Sequence, residues 1–285
     1  MTLSAHLVSW LLLVPAAGLP AGTDKVTVQA GGKDLTVFTY KPESYKNGPL
    51  VLVFHGTNRN AEEYRDWAKC IADRTGGIVA TPFFSREDFP TDAYQMGGLM
   101  RKGKLQPEAD WTWSLVPRVA DELRKKAGRP DMPYYLIGHS AGGQFLIRMA
   151  GFVKTDAVRI VASNPGSLLF PTEEMPVPYG FGDLPKELGG ESALKRYLAQ
   201  PVTLYLGTAD TVQDKNFPKG PVASKQGDSR YERSKNAFKA AEKLAKEKNW
   251  ELNWKVVEAE GVGHVAAEMF KNDRCLKALG LEEKR

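Results

Sequence analysis

The sequence predicts an α/β fold, a mainly parallel sheet with helices on both faces. Three observations carry that expectation. Strand-like and helix-like segments alternate along most of the 285 residues, the pattern that parallel crossover units leave in a sequence. Pro49-Leu50-Val51-Leu52-Val53-Phe54 is a continuous apolar run, as expected of a strand covered on both faces. No internal repeat or low-complexity tract interrupts the chain, and its length suits one large domain able to bury its own core.

Two early runs, Lys25 to Ala30 and Leu35 to Tyr40, alternate in polarity across Gly31-Gly32 and predict a hairpin at an antiparallel edge. After Phe54 comes an amphipathic helix over Ala61 to Thr75, with Tyr64, Trp67, Ala68 and Ile71 on one side. Gly77 to Pro82 is the next buried strand. From Phe83 to Asp110 no period is sustained, and loops of that length in compact domains are often functional. Helical spacing resumes from Trp111 to Ala127 and stops at Gly128-Arg129-Pro130. Tyr134 to Ile137 is a short strand leading into a helix over Gln144 to Phe152, and Val158 to Ala162 is a further strand. Leu168 to Gln200 is first rich in Pro and Gly, then helical near Ala193 to Leu198. It is expected to be a small lid insertion over the carboxyl edge of the sheet. Strands over Val202 to Leu206 and Leu252 to Val257, and helices over Tyr231 to Lys248 and Val265 to Leu279, complete the pattern.

The balance of 42% hydrophobic and 26% charged residues is that of a soluble globular enzyme. A net charge of +5 is no nucleic-acid footprint here, because many lysines fall between Lys235 and Lys248 and alternate with apolar residues as on a solvated helix face. Leu7 to Val14 is apolar, and Pro15-Ala16-Ala17-Gly18-Leu19-Pro20-Ala21-Gly22 follows it. That order resembles the apolar region and cleavage zone of a secretory leader, and it is too short to span a membrane. Residues 1–22 are therefore expected to be a signal peptide, residues 23–285 the folded domain, and the location secreted or periplasmic. A tail on an intracellular protein is the alternative, since His6 but no Lys or Arg precedes the apolar run. No other segment predicts stable membrane insertion. Cys70 and Cys275 are the only cysteines, too few for a zinc cluster or a disulfide scaffold. One bridge in an exported protein and two buried free thiols both remain open.

The segment that carries chemistry is Tyr134-Tyr135-Leu136-Ile137-Gly138-His139-Ser140-Ala141-Gly142-Gly143, a strand entering Gly-x-Ser-x-Gly and then a helix. A serine at so sharp a turn needs a strained backbone, and the flanking glycines leave room for it. Its hydroxyl is then presented at a helix N-terminus, where N–H groups favour developing negative charge. Ser140 is the expected nucleophile, and a hydroxyl needs an adjacent base. Of the four histidines, His6 lies in the leader, His55 precedes Ser140, and His139 sits beside it in the elbow with its side chain aimed elsewhere. His264, in Gly261-Val262-Gly263-His264 after the last strand, is left as the base. The orienting acid is expected just past the strand Val202 to Leu206. Asp210 stands there, with Asp214 as the rival in the same loop. The oxyanion needs two N–H donors, expected from Ala141 after the serine and from Thr57 in Phe54-His55-Gly56-Thr57.

The order His55-Gly56-Thr57, Gly138-His139-Ser140-Ala141-Gly142, Asp210, His264 resembles the α/β-hydrolase superfamily over nearly the whole chain after its N-terminus. The resemblance implies a sheet of about eight strands. More narrowly, Tyr135 to Phe145, Ser163-Asn164-Pro165-Gly166-Ser167, Pro178-Tyr179-Gly180 and Gly261 to His264 resemble secreted bacterial esterases related to polyhydroxybutyrate depolymerases and feruloyl esterases. That likeness implies ester cleavage through an acyl-enzyme, with small or polymeric hydroxyalkanoate or aromatic esters as substrates. Pro165 departs from it, standing where an alanine is implied.

Phe84, Tyr94, Met96, Phe170, Tyr179 and Phe181 either line an acyl pocket or form a small core, and Trp111 and Trp113 read as packing residues. No cofactor is implied, for there is no glycine-rich phosphate loop, no His-Glu-x-x-His helix and no histidine cluster for a metal. Two further functions compete with an esterase. A serine peptidase of the same fold would use the same triad, and a non-catalytic binding protein would have no need of a complete Ser, Asp and His set.

Overall fold

The computed structural model describes residues 18–281. The predicted hairpin is β1 (Gly22–Ala30) and β2 (Lys33–Lys41), paired antiparallel from Gly22 opposite Lys41 to Ala30 opposite Lys33. Then follow β3 (Leu50–Phe54), α1 (Ala61–Thr75), β4 (Ile78–Pro82), α2 (Thr91–Tyr94) and a two-stranded sheet of β5 (Met100–Arg101) and β6 (Lys104–Leu105). Next come α3 (Leu115–Lys126), β7 (Tyr134–His139), α4 (Ala141–Phe152), β8 (Arg159–Ser163), α5 (Lys186–Gly189), α6 (Glu191–Leu198) and β9 (Val202–Gly207). The chain continues with α7 (Pro221–Ser224), α8 (Arg230–Lys248), β10 (Lys255–Ala259), α9 (Ala266–Lys271) and α10 (Arg274–Leu279). The main sheet has eight strands in the order β1-β2-β4-β3-β7-β8-β9-β10, parallel from β4 to β10.

The continuous apolar run behaves as a doubly covered strand must. Leu50, Leu52 and Phe54 enter the core on one face, which holds α3, α4, α6 and α8 residues, while Val51 and Val53 enter the core under α1, α9 and α10. Under the carboxyl end of β3 the first core is aromatic. Phe54 to Phe145, Phe84 to Tyr94 and Tyr94 to Phe145 have centroids 5.1, 5.1 and 5.2 Å apart. Such pairs add about 0.5–1.5 kcal/mol each beyond the area they bury. Of the side chains that could line a pocket or form a core, Phe84, Tyr94, Phe170 and Phe181 are buried core residues while Met96 and Tyr179 are half-buried; Trp113 is fully covered.

Boundaries move where local chemistry intervenes. Pro117 sits in the first turn of α3, where a missing N–H costs nothing, so the helix starts at Leu115 after a 3-10 turn at Thr112–Ser114. The single helix expected over Val265 to Leu279 is two, because Asn272 is extended and its Oδ1 accepts the Arg274 N–H at 2.9 Å. α8 is capped by Ser229, whose hydroxyl accepts the Glu232 N–H at 3.1 Å, worth about 1 kcal/mol. Lys239, Lys243, Lys246 and Lys248 lie on its exposed face.

Segment 168–200 leaves the carboxyl end of β8, runs down the flank of α4 and reaches the start of β9. Tyr197 ties it to that helix, its hydroxyl donating to the Leu169 carbonyl at 2.9 Å and lying 3.2 Å from the Ile147 carbonyl. At the other end, Leu19 is buried, its N–H donates to the Lys126 carbonyl at 3.2 Å, and its carbonyl accepts from Lys41 Nζ at 3.0 Å. The folded domain therefore includes Leu19, ahead of the boundary expected after Gly22; residues 1–17 of the expected leader lie outside the described residues. Both cysteines are free thiols, Cys275 buried and Cys70 half-buried.

Candidate active site

Four loops at the carboxyl ends of parallel strands converge on one cleft, the usual location of a site in a sheet of this kind. Ser140 stands between β7 and α4 with φ 58° and ψ −112°, a left-handed conformation that costs a non-glycine residue on the order of 1–3 kcal/mol. The turn demands small neighbours. A Cβ on Gly138 would lie 2.4 Å from the Gly142 carbonyl carbon, and one on Gly142 would lie 2.2 Å from the Phe54 carbonyl oxygen. The Ser140 N–H donates to the Ser163 carbonyl at 2.9 Å, fastening the elbow to β8.

His264 faces the serine. Its Nε2 lies 3.0 Å from Ser140 Oγ and its Nδ1 lies 2.7 Å from Asp210 Oδ2. With Nδ1–H donating to the carboxylate, Nε2 is the acceptor turned to the hydroxyl. Asp210 is buried, and its second oxygen is 3.5 Å from Arg230 Nη1. Asp214, the rival acid, does not reach the imidazole by hydrogen bond; it chelates Arg230 Nη2 with both oxygens, at 2.8 and 2.9 Å. Partial burial pushes the Asp214 carboxyl up, but the Arg230 pair and the Asn216 N–H outweigh it and hold it below the usual range.

On the other flank the chain is fixed peptide by peptide. Tyr94 donates its hydroxyl to the His55 carbonyl at 2.8 Å. His55 Nε2 accepts the Phe84 N–H at 3.1 Å, which puts the ring proton on Nδ1, and Nδ1–H donates to the Gly56 carbonyl at 3.1 Å. Arg59 N–H donates to that same carbonyl. In a trans peptide the N–H opposes the C=O, so Thr57 N–H points away from His55 and Arg59; Thr57 and Ser140 both line the cleft. Ala141 is the first residue of α4, where helix N–H groups lack internal partners. Arg86 Nη2 closes the loop onto the Thr57 carbonyl at 2.6 Å. Burial lowers the His55 pKa to about 3, so its ring is neutral.

His139 is nearer to the site than expected. Its ring centroid is 4.6 Å from that of His264, while its Nδ1 meets the Tyr64 hydroxyl at 3.3 Å. Burial first, then the neighbouring His264 and Arg230, push its pKa well below the usual histidine value. The cleft of about 230 Å³ beside Ser140 is lined by Thr57, Asn58, Asn60, Trp67, Asn216 and Val265 among others. Its lining includes no residue of segments 83–110 or 168–200. Among the described residues, no group of three or more His, Cys, Asp or Glu is placed to hold a metal ion.

No protein-family model and no curated protein matches the chain. Solved structures do. The poly(3-hydroxybutyrate) depolymerase LpqC from Bordetella parapertussis is 30% identical, with a TM-score of 0.84 over 94% of this chain and 96% of that one. The chain belongs to the α/β-hydrolase superfamily. Poly(aspartic acid) hydrolase-1 from Sphingomonas sp. KT-1 is of similar likeness, 31% identical, with a TM-score of 0.82 over 88% of this chain and 96% of that one. An esterase from Pyrobaculum calidifontis, 15% identical at a TM-score of 0.52 over 91% of this chain and 83% of that one, shares the fold.

Of the five residues singled out by sequence, Thr57, Ser140 and His264 line this cleft, Asp210 is buried behind His264 in one hydrogen-bonded line with it and the serine, and Ala141 follows the serine at the start of α4. Sequence reasoning missed Arg230, Tyr64 and the structural work of His55. Arg230 follows a helix cap and His55 ends a strand, but nothing local told which distant groups they would meet.

Proposed function

We propose that this hydrolase cleaves carboxylic esters through an acyl-enzyme on Ser140. One observation carries the reading: a single imidazole bridges a strained serine hydroxyl at 3.0 Å and a buried carboxylate at 2.7 Å. Ser140 Oγ attacks the ester carbonyl carbon as His264 Nε2 takes its proton, and Asp210 stabilises the imidazolium that forms. The carbonyl oxygen gains the electron pair and is met by the Thr57 and Ala141 N–H groups. Collapse expels the alkoxide, which receives the proton from His264, and leaves the acyl group on Ser140. Water, deprotonated by the same imidazole, then releases the acid and restores the hydroxyl.

The substrate is a small or polymeric ester, of hydroxyalkanoates or aromatic acids. The likeness to a polyester depolymerase supports this class. The likeness to a poly(aspartic acid) hydrolase favours a second reading, amide hydrolysis by the same triad. Turnover of p-nitrophenyl butyrate alongside a panel of aminoacyl amides separates them; cleavage of amides alone would overturn the esterase. Ser140→Ala should lower kcat by at least about 10⁴-fold with a thermal midpoint within a few degrees of wild type, and should abolish fluorophosphonate labelling. Unchanged turnover would refute the nucleophile. The exported location rests on the apolar run Leu7 to Val14 and the small residues after it, and N-terminal sequencing of the mature protein tests it.

A further inference from the structure

The proposed triad is spread over three chain segments, after β7, β9 and β10, and such groups have to be held within about 0.5 Å to work together. Asn164, the first residue beyond β8, bonds the supports of two of them and directly follows the residue that supports the third. Its Oδ1 accepts the Gly207 N–H at 2.8 Å, at the point where β9 turns toward Asp210. Its Nδ2 donates to the carbonyl of Gly263, the residue before His264, at 3.1 Å. Its own N–H donates to the Tyr205 carbonyl at 3.1 Å, and the preceding Ser163 carbonyl accepts the N–H of Ser140. The side chain is 1% exposed, so no water competes for these bonds.

The local geometry suits this residue type. Asn164 has φ 44°, a left-handed conformation that asparagine tolerates better than most residues. The acid and base loops pass in backbone contact here: a Cβ on Gly207 would lie 2.3 Å from the Val262 carbonyl oxygen and 3.0 Å from that of Gly263. A carboxamide offers an acceptor to one loop and a donor to the other from two separate atoms of one short side chain.

We infer that Asn164 is a positioning residue that sets Asp210 and His264 in register with Ser140. The inference rests on the catalytic reading of those three residues. Asn164 is absent from the cleft lining, so it acts on kcat and leaves substrate binding alone. Displacing a reacting group by 1 Å costs about 10²-fold, which sets the expected size.

The test uses Asn164→Gly, Asn164→Ala and the isosteric Asn164→Asp, assayed on p-nitrophenyl butyrate well below each thermal midpoint. Glycine relaxes the left-handed backbone and alanine keeps it, while both remove the two clamping bonds. Both should lose about a hundredfold in kcat with KM changed less than threefold, although the glycine variant melts higher. Asn164→Asp keeps the Gly207 bond and loses the Gly263 donor, and should fall about tenfold or more. Wild-type kcat in Asn164→Gly, or in Asn164→Asp should the glycine variant not fold, would overturn the inference. So would a kcat loss in alanine that glycine restores, since backbone conformation alone would then explain it. Ser140→Ala run alongside separates the two readings: activity surviving there removes the site itself, whereas its loss together with a fully active Asn164→Gly removes only the clamp.

Discussion

The two flanks of Ser140 are built by different means. On the Thr57 side, the peptide groups leading to Thr57 N–H are held mainly by neutral buried partners, the Tyr94 hydroxyl and the His55 ring, with the Arg86 guanidinium added only at the Thr57 carbonyl and the Tyr64 hydroxyl packed so close that a Cβ on Gly56 would come within 2.6 Å of it. On the acid side the holding is ionic, a carboxylate–guanidinium–carboxylate line from Asp214 through Arg230 to Asp210. A neutral network avoids the cost of burying charge but requires that its members stay neutral. An ionic one tolerates pH better and is vulnerable to loss of one partner, which strands a buried charge.

The largest contrast lies within the ionic flank. Asp210→Asn should lower kcat by about 10⁴-fold by disturbing the His264 tautomer. Asp214→Asn should lower it only about tenfold, with a stability loss of about 1–2 kcal/mol, because Asp214 is 42% exposed and its pair with Arg230 is partly screened. Steady-state kinetics and denaturant midpoints check both, and equal kcat losses would erase the distinction between acid and support. Next in size, Tyr94→Phe leaves the buried His55 carbonyl without this donor. It should cost about 1–3 kcal/mol of stability and lower kcat with KM nearly unchanged; full activity would show that the oxyanion loop stands without its phenol.

A further contrast is in the pH dependence of stability. His55 has a folded-state pKa of about 3 against 6.5 for an unperturbed histidine, so the unfolded chain takes up its proton at higher pH than the folded one. The stability it contributes is complete above pH 6.5 and is lost as pH falls from there toward 3, at up to about 1.4 kcal/mol per pH unit. His55→Gln, which does not titrate, should show a shallower acid slope than wild type in thermal melts from about pH 7 to about pH 3. Parallel slopes would mean that the ring takes up its proton as readily in the fold as in the unfolded chain.

Much of the site was legible because its signals are local or ordered. Gly138 to Gly142 announces a turn that five adjacent residues can make by themselves, and the alternating contacts of Leu50 to Phe54 follow from a period of two. His264 could be found by elimination because only four histidines exist. Asp210 and Asp214 could not be separated with the same force, since both lie in one loop and their difference is made by Arg230 arriving on α8. The break at Asn272 inside an apparently continuous helix escaped because a side-chain bond to the Arg274 N–H, invisible in periodicity, ended α9. The aromatic residues of the two long connecting segments kept both of their readings until the core claimed four of them.

By itself, the sequence determined the class of fold, the strand that enters the elbow, and the serine and histidine that the fold brings within hydrogen-bond distance, because backbone strain, hydrophobic period and chain order are properties of neighbouring residues. Tertiary structure alone decided which carboxylate meets the imidazole, which way the Gly56–Thr57 peptide faces, and that Asn164 joins two loops. Each of those depends on hydrogen bonds between groups far apart in the chain, whose partners are chosen only when the sheet brings its strand ends together.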